Sequence, residues 1–153
     1  MIELIRTDSD NADFRSLVVL LDQDLQEKDG DEHAFYAQYN KLDKIFHVLV
    51  AYQNNDPVGC GAIKQFTADT MEIKRMFVKE SHRGEGIAVL ILQDLETWAV
   101  ELGYTSCILE TGIKQQAAIK LYQKSGYTLI PNYGQYAGVE NSLCMQKTPH
   151  VLH

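Results

Sequence analysis

The chain is poor in cysteine and in positive charge and has no long apolar run, and each shortage removes a class of protein. Its cysteines are Cys60, Cys107 and Cys144, widely spaced and set in apolar runs, where a thiol behaves as a small hydrophobe. With no Cys-x-x-Cys or Cys/His ligand spacing they imply neither a zinc site nor a disulfide framework, so no metal is expected and a reducing cytoplasm fits. The five histidines, at 33, 47, 82, 150 and 153, are scattered and form no motif. Lysine and arginine number 14 against 21 acidic residues, a net charge of -7. A nucleic-acid partner needs a clustered basic face to neutralise phosphates and is not expected. Net acidity serves solubility, and it mildly favours a cationic acceptor such as an amine. No segment approaches the ~20 apolar residues that span a bilayer. Residues 1–8 alternate and carry charge, unlike a signal peptide, so no membrane partner is expected.

What is present suits a globular protein: 45% hydrophobic and 23% charged residues. A length of 153 fits one domain, taken as 1–153, which buries roughly 70% of its unfolded surface. Ile2 and Leu4 open a strand, after which Ser9 or Asp10 is placed to cap a helix carrying Phe14, Leu17, Val18, Leu21 and Leu25 at helical spacing. A second helix is predicted over Glu32–Asn40. Strands follow at Ile45–Tyr52, Val58–Phe66 and Met71–Val78, the first two joined by the turn Asn54-Asn55-Asp56-Pro57. Gly59 and Gly61 weaken the second of these strands or mark close backbone approach.

Gly86–Leu102 is then a strong amphipathic helix with Ile87, Leu90, Ile91, Leu95, Trp98 and Leu102 on its core face. A strand at Ser106–Leu109, a helix carrying Ala117, Ala118, Leu121 and Tyr122, and strands at Tyr127–Ile130 and Ser142–Gln146 complete the chain. The order β-α-α-β-β-β-α-β-α-β-β predicts a mixed α/β sheet with helices on both faces.

The segment richest in chemistry is Glu72–Val89, EIKRMFVKESHRGEGIAV. A strand ends near Val78, and Arg83-Gly84-Glu85-Gly86-Ile87-Ala88 opens the long helix. Glycines let backbone N–H groups converge on one point, and a helix N-terminus adds about half a positive charge there. The product is an anion site sized for phosphate or pyrophosphate. It is not a P-loop, since the Lys-Ser/Thr pair is missing, nor the three-glycine dinucleotide fingerprint.

Arg83-x-x-Gly86-x-Ala88 resembles the Arg/Gln-x-x-Gly-x-Gly/Ala signature of the GNAT superfamily of N-acetyltransferases. The preceding strand EIKRMFV sits where that family has its fourth strand, and Ala118–Tyr127 resembles its "AI-x-LY-x-x-x-GF" segment. The match covers roughly residues 45 to 148. The resemblance implies the acyl-CoA N-acyltransferase fold, with acetyl-CoA as co-substrate and the thioester in a gap between splayed fourth and fifth strands. It implies that the backbone of Met76, Phe77 and Val78 pairs with pantetheine as an added strand would. Arg83 and the amides of Gly84, Glu85, Gly86, Ile87, Ala88 and Val89 would hold the pyrophosphate. Gln115 stands where the family has an asparagine contacting pantetheine.

Acetyl transfer to an amine needs a base, because an alkyl ammonium with pKa near 10.4 must lose a proton, and an acid for the leaving thiolate. By the same resemblance Glu72 matches the base of histone-type members, and Glu110 the base of enzymes acting on ribosomal protein N-termini. The sequence does not separate them: Glu72 also suits a solvated strand-edge carboxylate, and Glu110 a helix-capping carboxylate or an acceptor-binding group. Tyr122 resembles the family's thiol-protonating tyrosine. Tyr133 and Tyr136 sit on or beside the Pro131–Gly134 turn, where they wall an acceptor pocket or cover the edge of the core. His82 and Arg75 read as surface or sheet-face residues. The expected activity is acetylation of a primary amine, preferably of a small molecule such as an amino acid or polyamine-like compound. The alternatives are a protein N-terminus or lysine, or an acyl-CoA-binding module without turnover. Homodimers are common among members of that family, and no residue here reports the state.

Overall fold

The computed structural model describes residues 1–29 and 44–149. Seven strands form one mixed sheet, β1 (Ile2–Thr7), β2 (His47–Gln53), β3 (Asp56–Gln65), β4 (Thr70–Val78), β5 (Ser106–Gly112), β6 (Thr128–Ile130) and β7 (Ser142–Lys147), in the spatial order β1-β2-β3-β4-β5-β7-β6. Helix α1 (Ala12–Asp29) covers one face, and α2 (Ile87–Glu101) and α3 (Gln116–Lys124) serve the other. The helix predicted at Glu32–Asn40 lies outside the described residues; the rest of the predicted order stands, and this is the mixed α/β fold the sequence implied.

Period-two alternation builds the two cores. In β2, Val48 and Val50 pack with Phe14, Leu17, Val18 and Leu21 of α1, while Leu49 and Ala51 pack toward α2. Gly59 and Gly61 of β3 let α2 approach closely. A Cβ on Gly61 would come within 2.7 Å of Met76 Sδ and 2.8 Å of Leu95 Cδ1. The stripe of α2 is rotated from the predicted one. Leu92 and Ala99 are buried with Ile87, Ile91 and Leu95, whereas Leu90 and Leu102 are exposed. The first turns of α2 are apolar all round, so the pattern alone leaves the facing direction open. Trp98 packs at the core margin under the Arg6 guanidinium, 4.8 Å from its ring centroid. Glu96 is buried yet satisfied, accepting from Tyr127 Oη (2.9 Å) and Lys147 Nζ (2.8 Å), which pins α2 to the last strands.

The cap of α1 also differs from expectation. Asn11 Oδ1 accepts from the Phe14 amide at 2.9 Å. Ser9 is instead a buried clamp, exchanging hydrogen bonds with the backbone of Ile45. Asp10 pairs with Lys44 at 2.6 Å.

Two irregularities in the sheet prepare the site. Between the pairs Cys60–Phe77 and Ala62–Lys74, β4 carries an extra residue, and Arg75 there takes φ 59°. The bulge inverts parity, so Met71 and Ile73 face α2 before it and Met76 and Val78 after it. In addition β4 pairs with β5 only through Thr70–Ser106, Met71–Cys107 and Glu72–Ile108. Beyond Glu72 the two strands part.

Candidate active site

The parting of β4 and β5 opens a cleft of about 700 Å³. The side of β4 from Glu72 to Val78, the end of β5, the start of α3 and the loop into α2 line it, with Leu21, Asp24 and Leu25 of α1 closing one wall. Of the predicted site residues, Glu72, Met76, Phe77, Val78, Arg83, Gly84, Gly86, Ile87, Ala88, Val89, Glu110, Gln115 and Tyr122 all border this space. Glu85 does not; it is exposed between the two glycines.

At one end of the cleft the site is made of backbone. Gly84 and Gly86 sit at φ 82° and 80°, in the left-handed region that side chains rarely adopt, and a Cβ on either would project into open space. Gly86 is the N-cap of α2 and no side chain caps the first amides, so they point outward at the helix N-terminus. Arg83 braces the loop, donating from Nε to the Val78 carbonyl (2.9 Å) and pairing with Asp24 at 3.6 Å. The Val78 carbonyl is thereby engaged, although among the described residues the open edge of β4 has no partner strand beyond Glu72.

At the other end the site is made of side chains. Glu72 is buried, at 8% exposure, and is not the solvated edge carboxylate its strand position allowed. It accepts from Tyr133 Oη at 2.8 Å. Glu110 accepts from Ser142 Oγ at 2.7 Å. Tyr122 is buried on α3 and lines the same cleft. Burial, then the charge of Glu110, pushes its phenol well above the ordinary tyrosine value, so the hydroxyl stays protonated across the neutral range. Tyr136 lines the cleft and is raised by burial, then by Glu110 and Glu72. Tyr133 stands behind Glu72 and stacks edge-on with Phe66 and Tyr136.

Two cations are more buried than the sequence suggests. Arg75, read as a surface or sheet-face residue, is on a covered sheet face: its side chain is 2% exposed beneath α1 and faces Asp22 at 3.6 Å. Lys74 lies on the cleft with a side chain only 12% exposed, 3.8 Å from Glu72. Alternation signals it, since Glu72 and Lys74 must share the face opposite Met71 and Ile73. The left-handed turn at Arg75 has no comparable signal. His82 is half-buried at the cleft edge. The three cysteines are buried and unpaired with one another. Among the described residues no helix is long and apolar enough to cross a membrane.

Comparison with known proteins agrees with this geometry. The model of the acetyltransferase (GNAT) family matches residues 13–127. An IAA acetyltransferase of Azospirillum brasilense is 39% identical over 100 residues, 65% of each chain, so the match spans just under two thirds of that relative's length. A Klebsiella pneumoniae structure described as an acyl-CoA N-acyltransferase superposes with TM-score 0.80 at 28% identity, covering 97% of both chains. A family acetyltransferase of Elizabethkingia anophelis, solved with acetyl-CoA bound, shares the fold with TM-score 0.68 at 18% identity, covering 97% of this chain and 98% of its own.

Proposed function

The chain belongs to the GNAT family of acetyltransferases, and from that premise we propose that it transfers the acetyl group of acetyl-CoA to the primary amine of a small molecule. The observation that carries the reading is the fork: beyond the buried Glu72 the β5-side edge of β4 is left unpaired among the described residues, as the strand runs to the glycine loop and the uncapped start of α2. These residues fit acetyl-CoA. The open space over Gly84 and Gly86 admits a pyrophosphate against the amides of residues 84–89. The free edge at Met76 and Phe77 suits the pantetheine amides, with Gln115 on the same cleft. When bound, acetyl-CoA supplies an activated thioester.

The chain's own groups do the rest. One of the two carboxylates, Glu72 or Glu110, takes the proton of the incoming ammonium, directly or through a water. A backbone N–H of β4 near Phe77 or Val78 faces the developing oxyanion. Tyr122, held neutral by burial and by Glu110, donates its proton to the departing sulfur. Leu21 and Leu25 of α1 and Tyr136 line the cleft, and walls of this kind suit a small acceptor.

Thiol release from acetyl-CoA, followed with small amines and with lysine-bearing and N-terminal peptides, tests the proposal. Turnover is expected for small amines above peptides. Turnover of peptides alone would move the acceptor to protein. Acetyl-CoA binding with no turnover of any amine, unchanged in Tyr122→Phe, would leave a binding module.

A further inference from the structure

The acceptor end of the cleft holds charges of both signs. Glu72 and Glu110 are the carboxylates; Lys74 and Arg75 are the cations, and all four line the same space. Asp24 and Arg83, also on the cleft, pair with each other at 3.6 Å beside the glycine loop. Lys74 is the informative member. It lies two residues beyond the last β4–β5 pair, where the strands part, on the face shared with Glu72. Its ion pair to Glu72, at 3.8 Å, is too long for a hydrogen bond, and Glu72 already accepts from Tyr133. Burial holds its ammonium below the ordinary lysine value, against the pull of Glu72. A largely desolvated ammonium without a close acceptor is costly, and an anionic ligand group relieves that cost.

We propose that the acceptor carries a carboxylate beside its amine, and that Lys74 binds that carboxylate, with Arg75 behind it. The proposal rests on the transferase reading above and narrows it. Amino acids and related zwitterions match Lys74 set beside two carboxylates on the same cleft, the amine toward the glutamates and the acid toward Lys74. Polyamines do not, because their second ammonium would lie against Lys74 and Arg75, where like charges repel in a site of low dielectric. Lys74 is a specificity residue here and takes no proton in the reaction.

The test compares the common α-amino acids with their carboxamides, and with simple polyamines, by acetyl-CoA-dependent thiol release. Wild type is expected to favour the acids over their amides by at least about tenfold in kcat/KM. Lys74→Met brings that ratio to about one, chiefly through KM for the acids, and Lys74→Arg keeps most of it. A thermal melt of each variant reports on folding, and an altered melt does not by itself move the ratio. Equal or better turnover of amides or polyamines overturns the proposal and leaves the transferase standing. So does Lys74→Met with the preference intact, or with weakened acetyl-CoA binding as its sole effect. No turnover of any amine overturns the transferase reading, and this inference falls with it.

Discussion

The two ends of the cleft are built from different material. The end at residues 83–89 is backbone: left-handed glycines and an uncapped helix start, all within one short stretch of chain. The end at Glu72 is side chain, and its contacts reach far along the sequence, 61 residues from Glu72 to Tyr133 and 32 from Glu110 to Ser142. A site made of backbone fixes a common ligand feature such as a pyrophosphate, and its spacing is rigid. A site made of side chains from four elements can change with each substitution. The proposal accordingly puts selectivity in Lys74, the glutamates and the tyrosines, and not in the glycine loop.

The largest effect should come at the chemical end. Tyr122→Phe is expected to lower kcat by about 10² to 10⁴, with acetyl-CoA affinity changed at most a few-fold, measured by steady-state kinetics beside calorimetry. A matching loss of affinity would show that Tyr122 serves binding, and the division between the two ends would blur. Of Glu72→Gln and Glu110→Gln, the one that removes the base should lose about 10² or more in kcat/KM. Glu110→Gln carries a second signature. The negative charge of Glu110 disfavours tyrosinate, so its removal lowers the Tyr122 value, while burial, the larger cause, keeps it above the ordinary one. The alkaline fall in kcat should therefore begin at lower pH in the Gln variant than in wild type, which a pH–rate profile reads.

Smaller effects probe the backbone end and the support behind it. Gly86→Asp combines a strained left-handed backbone with a negative charge at the anion site, and should weaken acetyl-CoA binding by about tenfold or more while sparing the fold. Gly61→Ala forces a methyl against Met76, Leu95 and Ile91 and should cost about 1 to 3 kcal/mol of stability by chemical denaturation. Tyr133→Phe removes the hydroxyl that donates to Glu72 and should cost about 1 to 2 kcal/mol in the same measurement.

The contrast also explains what could be read from the sequence. The strand and helix order was legible because period-two runs such as His47–Gln53 and the helical spacing of Phe14, Leu17, Val18 and Leu21 are local signals. The glycine loop was legible for the same reason, since its residues are adjacent. Three features were not. The bulge at Arg75 depends on a positive φ that no residue preference announces, and with it the burial of that arginine was lost. The facing of α2 could not be fixed within Ile87–Leu92, where every residue is apolar, so Leu90 was placed inward and Leu92 was not. The cap at Asn11 was displaced because Ser9 is drawn away by Ile45, a contact across 36 residues.

The most direct test of the account is a calorimetric titration with acetyl-CoA beside S-acetylpantetheine, which lacks the pyrophosphate. The account predicts micromolar binding of acetyl-CoA and binding of the truncated compound weaker by about a hundredfold, roughly 2.7 kcal/mol for the pyrophosphate together with the nucleotide it carries. Equal affinity for the two compounds, or no binding of acetyl-CoA at millimolar concentration, would contradict it.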